Sequence, residues 1–137
     1  MNIIVDVNVL IAALLKDSTS RSLLINSSHD FFFPEPSLHK IRKYQAYMLK
    51  KTGFSEFEFL VLFHYLLKFI KIIPIEEILQ QWNEAKNIME QIDPEDVTII
   101  AAALSRDNSV IWSDDAHFDQ QKNVFILKTK DMLQLSQ

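Results

Sequence analysis

The sequence contains no cysteine, one glycine and four prolines in 137 residues. The lack of cysteine excludes disulfide bonds and thiolate metal sites, and it fits a reducing cytoplasm. With few linker-forming residues and 48% hydrophobic content, the chain suits one domain over residues 1–137 with a core of its own. A globally basic surface is also missing, because the formal net charge is −4. Contacts to nucleic acid therefore have to be local.

Signals for export and for membrane insertion are also scarce. Residues 1–6 lack the basic flank and long apolar run of a signal peptide, so we expect a cytoplasmic protein that begins at Met1. The longest apolar stretch, residues 54–70, is interrupted by Glu56, Glu58, His64 and Lys68. These polar residues argue against a membrane span and favour a buried helix or a helix at a subunit interface.

Short apolar strands alternate with helices along the chain. The predicted strands cover residues 3–5, 30–33, 70–73, 109–112 and 124–127. The predicted helices cover residues 9–15 capped by Asn8, 18–26, 37–51 ended by Gly53, 55–70 opened by a Ser55/Glu58 capping box, 75–92, 97–104 and 130–135. Because strands separated by helices form parallel sheets covered on both faces, we predict an α/β fold: a three-layer αβα sandwich with a mostly parallel sheet of four to five strands.

Acidic residues stand where the first and fourth predicted strands end and where the Ala-rich helix at 97–104 begins. They are Asp6, Asp93, Glu95, Asp96, Asp114 and Asp115. In open parallel sheets, ligands bind beyond the carboxyl ends of the strands, so these acidic stretches converge on one rim. Carboxylate oxygens suit Mg²⁺ or Mn²⁺, which take a few protein ligands together with water and substrate phosphate.

Some of these acids have a purely structural alternative. Residues 93–96 suit a capped helix N-terminus that the helix dipole favours. Asp114 and Asp115 suit caps for a short helix at residues 116–121. Asp6 is different, because no turn or cap pattern explains it as well as a site does.

Three ordered motifs resemble those of the PIN domain nucleases, and the likeness spans almost the whole chain. Asp6 and Asn8 follow a short strand, Asp96 leads into the Ala-rich helix, and a hydroxyl residue, Ser113, stands two positions before Asp115. The resemblance implies that Asp6, Asp96 and Asp115 are the catalytic acids that bind the metal. It gives auxiliary positions to Asn8, Asp93, Ser113 and Asp114, with Asn8 and Ser113 supporting the acids by hydrogen bonding.

One position departs from the family pattern. The second family acid, a Glu in the helix after the second strand, falls on Lys40, with His39 beside it. The nearest carboxylate, Glu35, precedes the helix. A positive charge here competes with a bound cation and weakens the expected activity. Either Asp93 or Asp114 replaces the missing ligand, or the protein keeps the architecture without turnover.

The resemblance implies a metal-dependent endoribonuclease that cleaves single-stranded RNA, as the toxin of a toxin–antitoxin pair or a related stand-alone PIN protein. The aromatic stretch 54–70 suits contact with an antitoxin protein or with a second copy in a homodimer, and it suits packing within the monomer equally well. Local cations that suit phosphate contacts are Arg21, Arg42, Lys43, Lys50, Lys51 and Lys128. For these cations the alternative is an ordinary solvated helix face, which is the favoured interpretation for Lys50 and Lys51. The alternative is a catalytically degenerate PIN domain that acts as an RNA-binding or protein-interaction module.

Other readings fit the sequence less well. A phosphatase of the haloacid dehalogenase type needs Asp where Asn8 stands, and a receiver domain needs a phosphoacceptor Asp after the third strand, where none is found. The histidines show no metal-ligand spacing and are predicted to be surface or packing residues; they include His39, His64 and His117. Trp82 and Trp112 are predicted to lie in the core.

Overall fold

The computed structural model describes residues 1–135 and contains five short strands. They are β1 (Asn2–Val5), β2 (Asp30–Pro34), β3 (Ile70–Ile73), β4 (Ser109–Trp112) and β5 (Ile126–Leu127). All pairings are parallel, and the strand order is β3-β2-β1-β4-β5.

Helices connect the strands. The α-helices of the described residues are α1 (Val7–Leu15), α2 (Thr19–Asn26), α3 (Leu38–Lys43), α4 (Gln45–Thr52), α5 (Glu56–Leu67), α6 (Ile75–Gln80), α7 (Trp82–Met89), α8 (Val97–Leu104) and α9 (Thr129–Leu135). Short 3₁₀ helices cover Glu35–Ser37, Pro94–Asp96 and Ala116–Gln120. Within residues 1–135, none of the helices combines the length and the apolar composition needed to cross a bilayer.

Alternate residues of the central strand enter two different hydrophobic clusters. Ile3 and Val5 pack with residues of α1, α2, α4 and α5, whereas Ile4 packs with residues of α7 and α8. All three side chains are fully buried. Helices therefore cover both faces of the parallel sheet, and the predicted three-layer α/β sandwich is confirmed.

The direction in which the chain adds strands reverses beside β1. From β1 the chain moves outward to β2 and β3, and it then returns to place β4 on the other side of β1. The backbone N–H of Asp6, which follows β1, donates a hydrogen bond of 3.0 Å to the carbonyl of Trp112, the last residue of β4. A reversal of this kind leaves a crevice at the carboxyl ends of the two strands, and this crevice holds the candidate site.

The helix boundaries differ from the sequence prediction at several points. Helix α1 begins at Val7, and Asp6 occupies its N-cap position, so the prediction that Asn8 caps this helix is wrong. The predicted helix 37–51 is interrupted at Tyr44, where the backbone leaves helical geometry (φ −95°, ψ 3°). No buried apolar residue lies between Ile41 and Met48, so nothing ties the intervening turn to the core.

The second long helix is also interrupted. The predicted helix 75–92 is divided into α6 and α7, which meet at Gln81, and α7 ends at Met89. The predicted strand 124–127 is paired only at Ile126–Leu127. Trp112 is fully buried, as predicted, whereas Trp82 is only partly buried at the edge of the core. The predicted end of α4 and start of α5 are confirmed, since Gly53 adopts a left-handed C-cap and Ser55 forms the capping box. Helix α5 ends at Leu67, before the predicted residue 70, because Ile70 begins β3.

Candidate metal-binding site

A fully buried serine ties the ends of β1 and β4 together. The Ser113 hydroxyl donates to Oδ2 of Asp6 at 2.7 Å and accepts a hydrogen bond of 3.0 Å from the backbone N–H of Asp115. One hydroxyl therefore orients one acid and the loop that carries another. This is the contact expected of a group that orients metal ligands by hydrogen bonding to them.

Asp6 lies in an environment that disfavours its charged form. Asp6 is only 6% exposed to solvent, and this burial raises the pKa of its carboxyl group above the ordinary value. The hydrogen bonds from Ser113 and from the Val7 backbone lower the pKa, the charge of Asp115 raises it, and the charge of Lys40 lowers it. Burial outweighs the opposing effects, so the carboxylate lacks sufficient neutralising partners.

Asp96 ends the 3₁₀ turn Pro94–Asp96 and stands at the N-cap position of α8. The small residues of α8 let this helix pack closely on the sheet, which brings Asp96 to the same crevice. Its Oδ2 atom is buried and has no hydrogen-bond partner among the residues that the structure describes. Burial and the negative charges of Asp93, Asp6 and Asp115 raise the pKa of Asp96 to about 7.

Asp93 and His117 extend the cluster on one side. Nδ1 of His117 lies 3.3 Å from Oδ2 of Asp93 and 3.4 Å from Oδ1 of Asp115. Ligand atoms of Asp93, Asp96 and His117 all lie within 4.8 Å of one another, which is close enough for one metal ion. His117 is half exposed, as predicted for a surface residue, but its contact with these acids was not predicted. The available signal was its position two residues after Asp115.

The acids share one open cleft of about 220 Å³. Its lining residues are Asp6, Val7, Asn8, His39, Lys40, Lys43, Tyr44, Asp93, Glu95, Asp96 and Asp115. The three acids expected to bind a metal therefore line one cleft, together with two of the auxiliary residues, Asn8 and Asp93. Among the described residues, the group whose ligand atoms all lie within 4.8 Å of one another consists of Asp93, Asp96 and His117, without Asp6 or Asp115. Ser113 lies directly beneath this cleft, where it contacts Asp6.

Asp114, predicted to assist or replace a metal ligand, does not line this cleft; it lines a neighbouring pocket with Asn8 and Asp115. Its Oδ1 accepts from the backbone N–H of Thr129 at 2.8 Å, and its Oδ2 accepts from the Thr129 hydroxyl at 2.7 Å. Adjacent residues after a strand point in different directions, and Asp114 points to the start of α9. Glu35 is also engaged elsewhere, because its Oε1 accepts from the backbone N–H of Ile75 at the start of α6.

Lys40, which stands at the position that the family resemblance assigns to a second acid, lies in the acidic cleft. Its charge lowers the pKa of both Asp6 and Asp96. None of the ion pairs within 4.0 Å along residues 1–135 includes Lys40. The ammonium group therefore offsets part of the negative charge from a distance but does not satisfy the Asp96 oxygen.

The donor set fits a divalent cation. Asp6, Asp93, Asp96 and Asp115 line one cleft, and burial, together with the charges of neighbouring acids, raises the pKa values of Asp6 and Asp96. Mg²⁺ and Mn²⁺ prefer such oxygen ligands, and an ion of this charge supplies the partner that Oδ2 of Asp96 lacks.

Comparison with known protein families identifies the chain. The family model described as PIN domain matches residues 4–134. The chain belongs to the PIN domain family. This PIN domain is also similar in fold to the crystal structure of VapBC2 from Rickettsia felis bound to a DNA fragment from their promoter, with 17% sequence identity and a TM-score of 0.68. The match covers 93% of this chain and 98% of the VapBC2 chain, and at this identity it shows the fold alone. Comparison with curated protein sequences gave no match.

The raised pKa of Asp96 predicts how stability depends on pH without metal. The folded protein keeps this proton up to about pH 7, whereas the unfolded chain loses it near the ordinary value of 3.8. The free energy of unfolding therefore falls as the pH rises between these values, and it remains lower above pH 7. Asp96→Asn removes the effect. We expect its melting temperature in EDTA at pH 8 to exceed that of the wild type by about 4 °C.

Circular dichroism melts at several pH values test this expectation. The difference between the two proteins should shrink as the pH is lowered from 8 towards 4. If Asp96→Asn is no more stable than the wild type at pH 8, the charged carboxylate of Asp96 does not destabilise the metal-free protein, and the expectation is wrong.

The neighbouring acids Asp114 and Asp115 provide a matched pair, because each accepts a backbone hydrogen bond at the start of a helix. Alanine at either position removes a cap and should cost about 1 kcal/mol of stability in urea unfolding. Only Asp115→Ala should also weaken Mn²⁺ binding, by about 10-fold or more in calorimetry. Equal losses of Mn²⁺ affinity in both variants would contradict the separation of their roles.

Proposed function

We propose that this PIN domain is a metal-dependent endoribonuclease that cleaves single-stranded RNA, with Mg²⁺ or Mn²⁺ held by Asp6, Asp96 and Asp115. The observation that carries the proposal is the buried Oδ2 atom of Asp96, which lacks a partner in a cleft lined by further carboxylates. Unpaired buried polar atoms are rare in folded proteins, and such an atom beside several acids indicates a cation site.

Each acid has a separate structural role in this proposal. Ser113 fixes the carboxylate of Asp6, the 3₁₀ turn Pro94–Asp96 presents Asp96, and the backbone after β4 presents Asp115. A bound divalent cation supplies charge stabilisation to a phosphodiester and lowers the pKa of water. Asp93 and His117 lie close enough to the other acids to orient a water molecule or to complete the ligand set.

Two lysines line the cleft and are suited to phosphate contacts: Lys40 and Lys43. Two other cations predicted for this role are occupied. Arg21 donates through Nε to the carbonyl of Ala13 at 2.8 Å, and Lys128 lies 3.4 Å from Asp119. Phosphate binding is therefore assigned to the side of the cleft formed by α3.

A toxin role with an antitoxin partner, in the cytoplasm, is part of the proposal. The VapBC2 structure, which shares the fold, contains a complex bound to promoter DNA, and this supports a protein partner for the present chain. The exposed apolar side of α5 is a candidate contact surface for that partner or for a second copy. Its residues include Phe57, which is 75% exposed, and Val61.

A second candidate function is supported by Lys40. If its ammonium group prevents an ion from binding, the chain is a degenerate PIN domain that binds RNA or protein without turnover. Metal binding and cleavage distinguish the two candidates.

Cleavage of a fluorescent single-stranded oligoribonucleotide tests the nuclease proposal. We expect cleavage with Mn²⁺, none with EDTA, and a rate at least about 100-fold lower for Asp6→Asn, because loss of a metal ligand exceeds the cost of losing a supporting residue. Asp114→Ala is the matched control and should keep the wild-type rate. Cleavage that survives EDTA and Asp6→Asn would contradict metal dependence, and Mn²⁺ binding without cleavage would favour the binding module.

Lys40→Glu tests the charge competition directly. The substitution removes a positive charge and adds a carboxylate, so Mn²⁺ affinity should rise on the order of 10-fold in calorimetry. Lys43→Glu makes the same change of charge at the other lysine of the cleft lining, whereas the lysine whose charge lowers the pKa values of Asp6 and Asp96 is Lys40. Lys43→Glu should therefore raise the Mn²⁺ affinity less than Lys40→Glu does. Equal increases in affinity for the two variants, or no increase for Lys40→Glu, would show that Lys40 does not compete with the ion.

A further inference from the structure

The segment that forms α3 and α4 is locally basic in an acidic protein. Residues 36–55 contain no Asp or Glu and hold five of the chain's 14 lysines and arginines. These cations are Lys40, Arg42, Lys43, Lys50 and Lys51. The metal cleft is negatively charged, whereas this segment is positively charged. The two surfaces are therefore suited to different parts of one ligand.

Two exposed tyrosines accompany these cations. Tyr44 is 42% exposed and Tyr47 is 51% exposed. The Lys43 ammonium lies 5.8 Å from the ring centroid of Tyr44, and the Lys51 ammonium lies 5.9 Å from the ring centroid of Tyr47. Each ring is therefore associated with one positive charge.

The position of Tyr44 connects this surface to the acids. It stands at the interruption between α3 and α4, and it lines the same cleft as Asp6, Asp96 and Lys43. Tyr47 is three residues further along, in the first turn of α4. One pair of ring and cation therefore lies at the cleft, and the second pair lies on the helix that starts there.

Alternation of rings and cations is the arrangement by which proteins hold single-stranded nucleic acids. Unpaired bases stack on aromatic rings, while Lys and Arg contact the phosphates. A duplex keeps its bases stacked on one another and cannot use the rings. A second exposed aromatic surface, on α5, carries Glu56 and Glu58, and their negative charge opposes a phosphate backbone.

We propose that Tyr44 stacks an unpaired RNA base at the edge of the metal cleft and that Tyr47 stacks a second base further along α4. Lys43 and Lys51 contact the neighbouring phosphates. This arrangement makes Tyr44 a determinant of the preference for single strands. The inference deepens the proposed nuclease function and rests on it for the placement of the scissile phosphate, but base stacking itself does not require cleavage.

Fluorescence anisotropy in EDTA measures binding while cleavage is prevented. The probe is a labelled mixed-sequence single-stranded RNA of about 12 nucleotides, within the site sizes of single-strand-binding domains. We expect Tyr44→Ala to weaken binding about 10-fold, the scale of one lost stacking contact, and Tyr44→Phe to retain affinity. Binding of a duplex of the same length should be weaker in the wild type and unchanged by Tyr44→Ala.

Tyr65→Ala is the matched control, because Tyr65 is 43% exposed and lies on α5 outside the cleft lining. It should bind the single strand as the wild type does. Circular dichroism melts check that both alanine variants are folded. A wild type that does not bind the single strand, a Tyr44→Ala variant with unchanged affinity, or equal losses for Tyr44→Ala and Tyr65→Ala would each overturn the inference.

The result is separable from the test of the nuclease proposal. If single-strand binding depends on Tyr44 but Mn²⁺ never produces cleavage, the stacking surface stands and the proposed nuclease function fails. If Mn²⁺ supports cleavage but binding is independent of Tyr44, the nuclease function stands and the stacking surface is wrong.

Discussion

Repulsion among carboxylates in one partly buried cleft is the constraint on which the site depends. The reversal of strand order beside β1 places Asp6 next to the end of β4, and α8 brings Asp96 to the same place. Burial and mutual repulsion raise the pKa values of both acids. The fold tolerates this cost because the Ser113 hydroxyl and the Val7 backbone donate hydrogen bonds to Asp6, and the His117 backbone donates one to Asp115. A binding site of this kind is less stable empty than occupied, which favours uptake of a cation.

Lys40 sets the balance between two outcomes for this cleft. Its charge eases the repulsion between Asp6 and Asp96, yet it forms none of the close ion pairs found within residues 1–135. The cleft therefore keeps a net negative charge and an unsatisfied carboxylate oxygen. Charge competition lowers the affinity for an ion, while the orphaned oxygen of Asp96 raises it.

The general position of the site could be predicted from the sequence, whereas individual contacts could not. Asp6 and Asp115 follow strands, and the geometry of parallel sheets brings such positions to one edge. Asp114 shows the limit of this reasoning, because neighbouring side chains diverge and Asp114 contacts Thr129 instead. The contact of His117 with Asp93 depends on how two short turns meet in three dimensions, which local sequence does not specify. The interruption at Tyr44 was likewise hidden by helical spacing that continues through it.

The central claim is that the acidic cleft holds a divalent ion despite Lys40. Anomalous scattering from crystals of the protein grown with Mn²⁺ tests it most directly, because the method locates the ion itself. We expect a manganese peak in the cleft, within coordination distance of Oδ2 of Asp96 and of carboxylate oxygens of Asp6 and Asp115. An empty cleft in which the Lys40 ammonium contacts Asp96 would contradict the claim.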